Sequence, residues 1–138
     1  VLPQLVLRAK EKIKLSQSQL IEFEIQGDGS QTRAFIHIDD FTDCLMKVIE
    51  SGEHLNVYHI GNPEEITITE VAREIFVRLG REVSIVPGPL TLGSAPRRCP
   101  DISKVRSLGF EPRIPFQDGL PSLIEWYMNN DQERKWNI

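Results

Sequence analysis

Two arginine-bearing segments are the parts of this sequence that could do chemistry on an anion. The first is Gly27-Asp28-Gly29-Ser30-Gln31-Thr32-Arg33-Ala34-Phe35. Its glycines permit a tight turn. A guanidinium at the start of the strand that follows could offer a phosphate or a ribose several donors in fixed geometry. The second is Ala95-Pro96-Arg97-Arg98-Cys99-Pro100-Asp101, two adjacent arginines in a Pro-rich loop ahead of a helix. A phosphate beside them would gain charge-assisted hydrogen bonds, and long irregular loops often carry ligand contacts. Each segment also has a plainer reading: a hairpin turn followed by an exposed arginine, and a solvated basic pair. Spacing alone leaves both open.

A complete catalytic apparatus is not visible. No Gly-x-Gly-x-x-Gly or Gly-x-x-Gly-x-x-Gly occurs, so the dinucleotide fingerprint is missing. Neither tyrosine has a lysine four residues later: Tyr58 is followed at that spacing by Asn62 and Tyr127 by Asp131. His37, His54 and His59 are scattered, and neither they nor the cysteines have metal-ligand spacing. His37 has no visible orienting partner, and a strand histidine beside a helix cap is more simply structural. The expectation is therefore no catalytic, cofactor or metal residue in this chain.

The elements that must position the arginines follow from periodicity. Leu2, Leu5, Val6 and Ala9 have helical spacing up to about Lys14, and Phe23 and Ile25 alternate as in a half-buried strand. After the glycine turn, Ala34 to Ile38 reads as a strand. Asp40 reads as the cap of a helix whose core face is Phe41, Cys44, Leu45, Val48 and Ile49. Gly52 is a suitable stop, and Asn56 to Ile60 reads as a short strand. Thr67 and Glu70 have capping-box spacing ahead of Val71, Ala72, Ile75, Phe76 and Leu79. Val83 to Val86 reads as a strand, and Pro87 to Pro100, rich in Pro and Gly, cannot be regular throughout. Asp101 reads as the cap of a short helix ended by Gly109. Leu120, Leu123, Ile124, Tyr127 and Met128 form a last helical stripe, in which Pro121 fits only near the first turn. Strands and helices mix throughout, so the class is α/β or α+β.

The bulk numbers bound the partners. The 138 residues carry a net charge of −4, which argues against a general nucleic-acid or membrane-surface binder. Cys44 lies on an apolar helix face and Cys99 in a loop, with no disulfide framework. With no spanning run and no signal peptide visible, a reducing, cytoplasmic setting is expected. The opening Val1-Leu2-Pro3-Gln4-Leu5, without Met and inside an apolar pattern, reads as a cut. One region is expected over residues 1–130, with a polar tail over residues 131–138.

Several segments, taken in order, resemble a known family. After the Gly27–Phe35 segment come Ile36-His37-Ile38-Asp39-Asp40, Tyr58-His59-Ile60-Gly61-Asn62 and Arg97-Arg98-Cys99-Pro100-Asp101-Ile102-Ser103-Lys104. Leu108-Gly109-Phe110-Glu111-Pro112 and Gly119 leading to Glu125-Trp126-Tyr127 complete the series. Each motif is weak alone, but their order and spacing resemble the C-terminal half of extended short-chain dehydrogenase/reductases that act on nucleotide sugars. These include sugar 4-epimerases, 4,6-dehydratases and UDP-glucuronate decarboxylases. The resemblance covers nearly the whole chain. It implies a mixed α/β substrate-binding lobe with the Rossmann half absent.

It also implies a division of labour. In such enzymes NAD sits on the N-terminal half, where a Tyr-x-x-x-Lys pair moves protons while hydride passes to NAD and back. The half resembled here grips the diphosphate of the NDP-sugar substrate. By resemblance Arg33 contacts ribose or phosphates, and Arg98, or Arg97 one residue away, contacts the diphosphate. Val1 to Leu5, Leu2 among them, lines the base pocket, and Gln26 lies on the base side. The intact parent is expected to be a homodimer, and this chain alone to be inactive. Segments that pack on the Rossmann half would leave apolar surface exposed. The alternative from another class is a stand-alone, non-catalytic nucleotide-sugar-binding or regulatory lobe. Last comes a ligand-free structural module.

Overall fold

Strict alternation in Leu20–Gln26 sets up the first layer. This strand, β1, buries Ile21, Phe23 and Ile25 and turns the residues between them to solvent. In the computed structural model, which describes residues 1–130, β1 pairs in parallel with the strand Glu82–Gly88. The polar tail expected over residues 131–138 lies outside the described residues. A parallel pair needs a crossover, and the chain between the two strands supplies one that ends in a helix at Ile68–Arg78; a helix ahead of β1 packs beside it. Leu2–Leu15 forms α1, with Pro3 in its first turn and Leu5, Val6 and Ala9 buried. Ile68–Arg78 forms α3 and buries Val71, Ala72, Ile75 and Phe76; Phe76 meets Phe23 edge-on at 5.0 Å. Its capping box is present as the spacing predicts: Thr67 Oγ1 accepts from Glu70 N, and Glu70 Oε2 accepts from Thr67 N. The last helix, α5 at Phe116–Asn129, closes this core with Phe116, Leu120 and Ile124. The buried Lys10 ties α1 to it by donating to the terminal carbonyls of Tyr127 and Met128.

A second sheet stands beside this layer. Its middle strand, β2, is Thr32–Ala34, with β3 (Glu65–Thr67) antiparallel on one side and β5 (Arg97–Arg98) parallel on the other. The Glu82–Gly88 strand is β4. Below the sheet, the helix α2 (Ile38–Ser51) packs on α4 (Ser103–Ser107) around Cys44, Ile102, Val105 and Phe110.

Several sequence expectations are corrected. The strand expected over Ala34 to Ile38 lies earlier, at Thr32–Ala34, because pairing with β3 and β5 is available only there. His37, not Asp40, caps α2: its Nδ1 accepts from Asp39 N at 3.3 Å. Asp40 is fully buried, and its Oδ2 accepts from the backbone N–H of Arg113 and of Ile114, both at 2.9 Å. Asn56 to Ile60 is not a strand. Tyr58 and Ile60 still turn inward, but no strand pairs with the segment among the described residues. Lys104 and the Asn56 side chain take some of its polar groups. The irregular stretch before Pro100 contains β5, joined to β2 by a bond from Thr32 N to Pro96 O. Ile102, not Asp101, is the cap residue of α4, though Asp101 Oδ1 accepts from Ser103 N and Oγ. Pro121 lies in the second turn of α5. The Gln117 carbonyl that it leaves without an N–H accepts instead from Arg78 Nη2 at 2.9 Å.

The largest departure is on α2. Of its expected core face only Cys44 is buried and Val48 partly so, whereas Phe41, Leu45 and Ile49 are exposed, with Ile38 and Met46 beside them. The short α4 is too small to cover a 14-residue amphipathic helix.

Candidate functional site

Strand alternation sorts the arginines. Thr32 pairs with Arg97 and Arg33 with Arg98, so each pair shares one face of the sheet. On the first face Glu65 takes both neighbours: Thr32 Oγ1 donates to its Oε2 at 2.6 Å, and Arg97 donates through Nε and Nη2 at 2.6–3.1 Å. The Arg97 bonds, then that of Thr32, hold the Glu65 carboxyl below its ordinary range, and Glu65 raises Arg97 in turn. Arg97 is thus neutralised by its own fold. On the other face, among the described residues, the Arg33 guanidinium donates only to the Thr32 carbonyl and the Arg98 guanidinium has no hydrogen bond or ion pair. Like charges paired across adjacent strands disfavour one another.

A cleft of about 460 Å3 lies on the Arg33 side. The cap residue Val1 and the α1 residues Gln4, Leu5 and Arg8 form one wall, the end of β1 contributes Ile25 and Gln26, Gln31 comes from the approach to β2 and Arg33 from β2 itself. Apolar walls with a few convergent polar groups suit an organic anion with a flat or hydrocarbon part. The glycine turn makes the geometry possible: Gly27 has φ +64°, and a Cβ on it would stand 2.3 Å from Gln31 Nε2. Asp28 closes the turn by accepting from Ser30 N and Oγ, which lowers its pKa.

Of the residues expected in the site, Gln26 and Arg33 line this cleft, and Arg98 shares the sheet face of Arg33. Arg97 does not join them. Leu2 lines a different, apolar cavity of about 350 Å3, together with Phe35, His37 and Leu120. Its neighbours Val1, Gln4 and Leu5 occupy the place expected for it. His37 packs at the N-terminus of α2 against Gly119, where a Cβ would come within 2.9 Å of its ring. Arg8 was not singled out by sequence. Its guanidinium lies 4.8 Å from the Phe23 ring centroid and donates to Glu24 O at 2.6 Å, which sets it in the cleft wall. Its place on α1 three residues after the buried Leu5, at the edge of the apolar stripe, is the signal that could have found it.

The described residues do not fit NAD. A dinucleotide's pyrophosphate rests on the bare N-terminus of a helix reached from a strand through a glycine turn. Here the glycine turn after β1 leads to another strand, and α2 and α3 open on His37 and Thr67, whose side chains already occupy N-terminal N–H groups. No part of the cofactor's chemistry is assigned to these residues.

Comparison with known proteins gives the context. Residues 1–61 match the family described as NAD dependent epimerase/dehydratase. The chain is 34% identical over 138 residues to the putative GDP-L-fucose synthase 2 of Arabidopsis thaliana, covering 98% of this chain and 40% of that protein. It is 35% identical over 102 residues to UDP-glucuronic acid decarboxylase 2 of the same plant, covering 73% and 23%. Among solved structures, dTDP-glucose 4,6-dehydratase of Bacillus anthracis in complex with NAD superposes with TM-score 0.75 at 25% identity, over 96% of this chain and 40% of that one. DesIV, a dTDP-glucose 4,6-dehydratase of Streptomyces venezuelae, does so with TM-score 0.75 at 28% identity, over 93% and 38%. The chain spans about 40% of the length of the relatives that it matches over most of its own length. With the mixed α/β fold and the ordered motifs, these matches show that the chain belongs to the NAD-dependent epimerase/dehydratase family of extended short-chain dehydrogenase/reductases.

Proposed function

We propose that this chain is the nucleotide-sugar-binding part of an NAD-dependent NDP-sugar epimerase, dehydratase or decarboxylase. The observation that carries this reading is the pair of arginines without carboxylate partners, Arg33 and Arg98, on one sheet face beside the cleft. Arg33 and Arg98 grip the diphosphate, Gln26 and the Val1–Leu5 turn border the base, and NAD and the proton-transferring groups belong to the remainder of a longer enzyme. That enzyme works as a homodimer on an NDP-sugar, and this chain by itself does not turn over. What these residues supply is binding and orientation, which hold the sugar still while chemistry proceeds elsewhere. The uncovered apolar face of α2 and the strand-like Asn56–Ile60 segment without a strand partner favour this reading over a free-standing lobe.

The test is calorimetric titration of the chain with UDP, dTDP and GDP. Each charge-assisted contact is worth about 1.5–3 kcal/mol, so Arg33→Ala and Arg98→Ala should each weaken binding by roughly 10- to 100-fold. Arg97→Ala, whose partner is Glu65, should change it by less than about threefold. Equal losses in Arg97→Ala and Arg98→Ala, or no binding of any nucleotide, would sink the proposal.

A further inference from the structure

The cleft contains a second group whose chemistry is incomplete without a ligand. Gln31 is 9% exposed, lines the cleft beside Gln26 and Arg33, and donates from Nε2 to the Gln26 carbonyl at 3.2 Å. Its Oε1 is buried and has no hydrogen-bond partner among the described residues. The backbone on either side is anchored: Gln31 O accepts from Ile68 N at 3.0 Å, and Thr32 N donates to Pro96 O at 2.9 Å. The residue therefore cannot move away as a whole to hydrate its amide. The missing Cβ of Gly27 leaves the side chain its present place, since a Cβ there would stand 2.3 Å from Nε2 and displace the amide. Buried polar groups are nearly always paired. The final torsion of a glutamine is soft, so the amide of this cleft-lining residue can turn its oxygen to a ligand in exchange for the Nε2 bond to Gln26.

We infer that Gln31 is a specificity-determining residue that accepts a hydrogen bond from an N–H or O–H of the nucleoside. It thereby makes the site select a nucleoside diphosphate over a bare diphosphate. The inference rests on the nucleotide-binding reading above and deepens it. Arg33 and Arg98 answer only to charge, and inorganic pyrophosphate satisfies them equally well. An acceptor inside the cleft answers to the part of the ligand that pyrophosphate lacks. A site built around such a bond rejects an analogue without the donor more strongly than an apolar pocket rejects a change of shape.

Two donors could serve, the imide N–H of the base and a ribose hydroxyl, and the ligands of the test separate them. Binding of UDP, 3-methyluridine diphosphate, 2′-deoxyuridine diphosphate and pyrophosphate is measured on the unsubstituted chain and on Gln31→Met. Methionine matches the size of glutamine without its acceptor. We expect Gln31→Met to weaken UDP about tenfold and to leave pyrophosphate unchanged, which also shows that the variant is folded. The analogue lacking the relevant donor should bind the unsubstituted chain about as weakly as UDP binds Gln31→Met, and should not respond to the substitution. Unchanged UDP binding in Gln31→Met overturns the inference while the arginine site stands, and so does an equal loss for pyrophosphate. Failure of the unsubstituted chain to bind UDP or pyrophosphate overturns both readings together.

Discussion

Replacing Asp40 by alanine tests whether this residue is a surface helix cap or an internal clamp. As a first-turn carboxylate near a helix N-terminus it would contribute about 0.3–1 kcal/mol. The structure gives it a larger role. Its side chain is fully buried, and Oδ2 accepts from two backbone N–H groups at 2.9 Å, fixing the turn at Arg113 and Ile114 that leads into α5. Alanine leaves both N–H groups without an acceptor. At about 1–2 kcal/mol for each part-buried donor, the loss is about 2–4 kcal/mol. For a domain of this size that lowers the melting temperature by roughly 6–16 °C. Asp43→Ala is the matched control, because Asp43 pairs with the exposed guanidinium of the same Arg113, and such pairs contribute less than about 1 kcal/mol. Urea and thermal unfolding of the two variants should therefore differ several-fold in effect. If Asp40→Ala loses under about 1 kcal/mol, or no more than Asp43→Ala, the clamp argument is wrong.

Two further outcomes follow from local chemistry. Hydrogen bonds from the Thr67 side chain and then its backbone hold the Glu70 carboxyl below its ordinary 4.5. The capping box therefore adds stability that is fully present above 4.5 and lost as pH falls through the lowered folded value. Glu70→Gln should flatten the acid limb of a stability-versus-pH curve in that window, and an unchanged limb would remove the capping box from the argument. Pro121→Ala should stabilise the chain by about 1 kcal/mol: the helix-interior penalty of proline, about 3 kcal/mol, less about 1 kcal/mol for its restriction of the unfolded chain and about 1 kcal/mol for the hydrogen bond that the Gln117 carbonyl already accepts. The gain stays small because Arg78 already serves the Gln117 carbonyl. Destabilisation on denaturant unfolding would mean that the proline is needed where it is.

The sequence by itself determined the elements whose periodicity and end signals are local. β1 by its alternation, α3 by its capping box and stripe, and the last stripe of α5 all lie where spacing places them, because such patterns depend on neighbours within a few residues. The family was legible too, from six segments in order. Tertiary structure alone decided what pairs and what covers. Periodicity showed that α2 has an apolar face but not that α4 is too short to bury it. Asn56–Ile60 read as a short strand, yet a strand exists only beside another. Spacing did not separate the two arginines after Pro96, and only the family resemblance favoured Arg98. Only the register of β5 against β2 places Arg97 on the face of Glu65 and Arg98 on the face of Arg33, since a shift of one residue exchanges the two faces of a strand. In the same way Asp40 looked like a cap because a carboxylate before an amphipathic stripe usually is one. The two backbone N–H groups that donate to it lie more than seventy residues away, at Arg113 and Ile114, and no local pattern reaches that far.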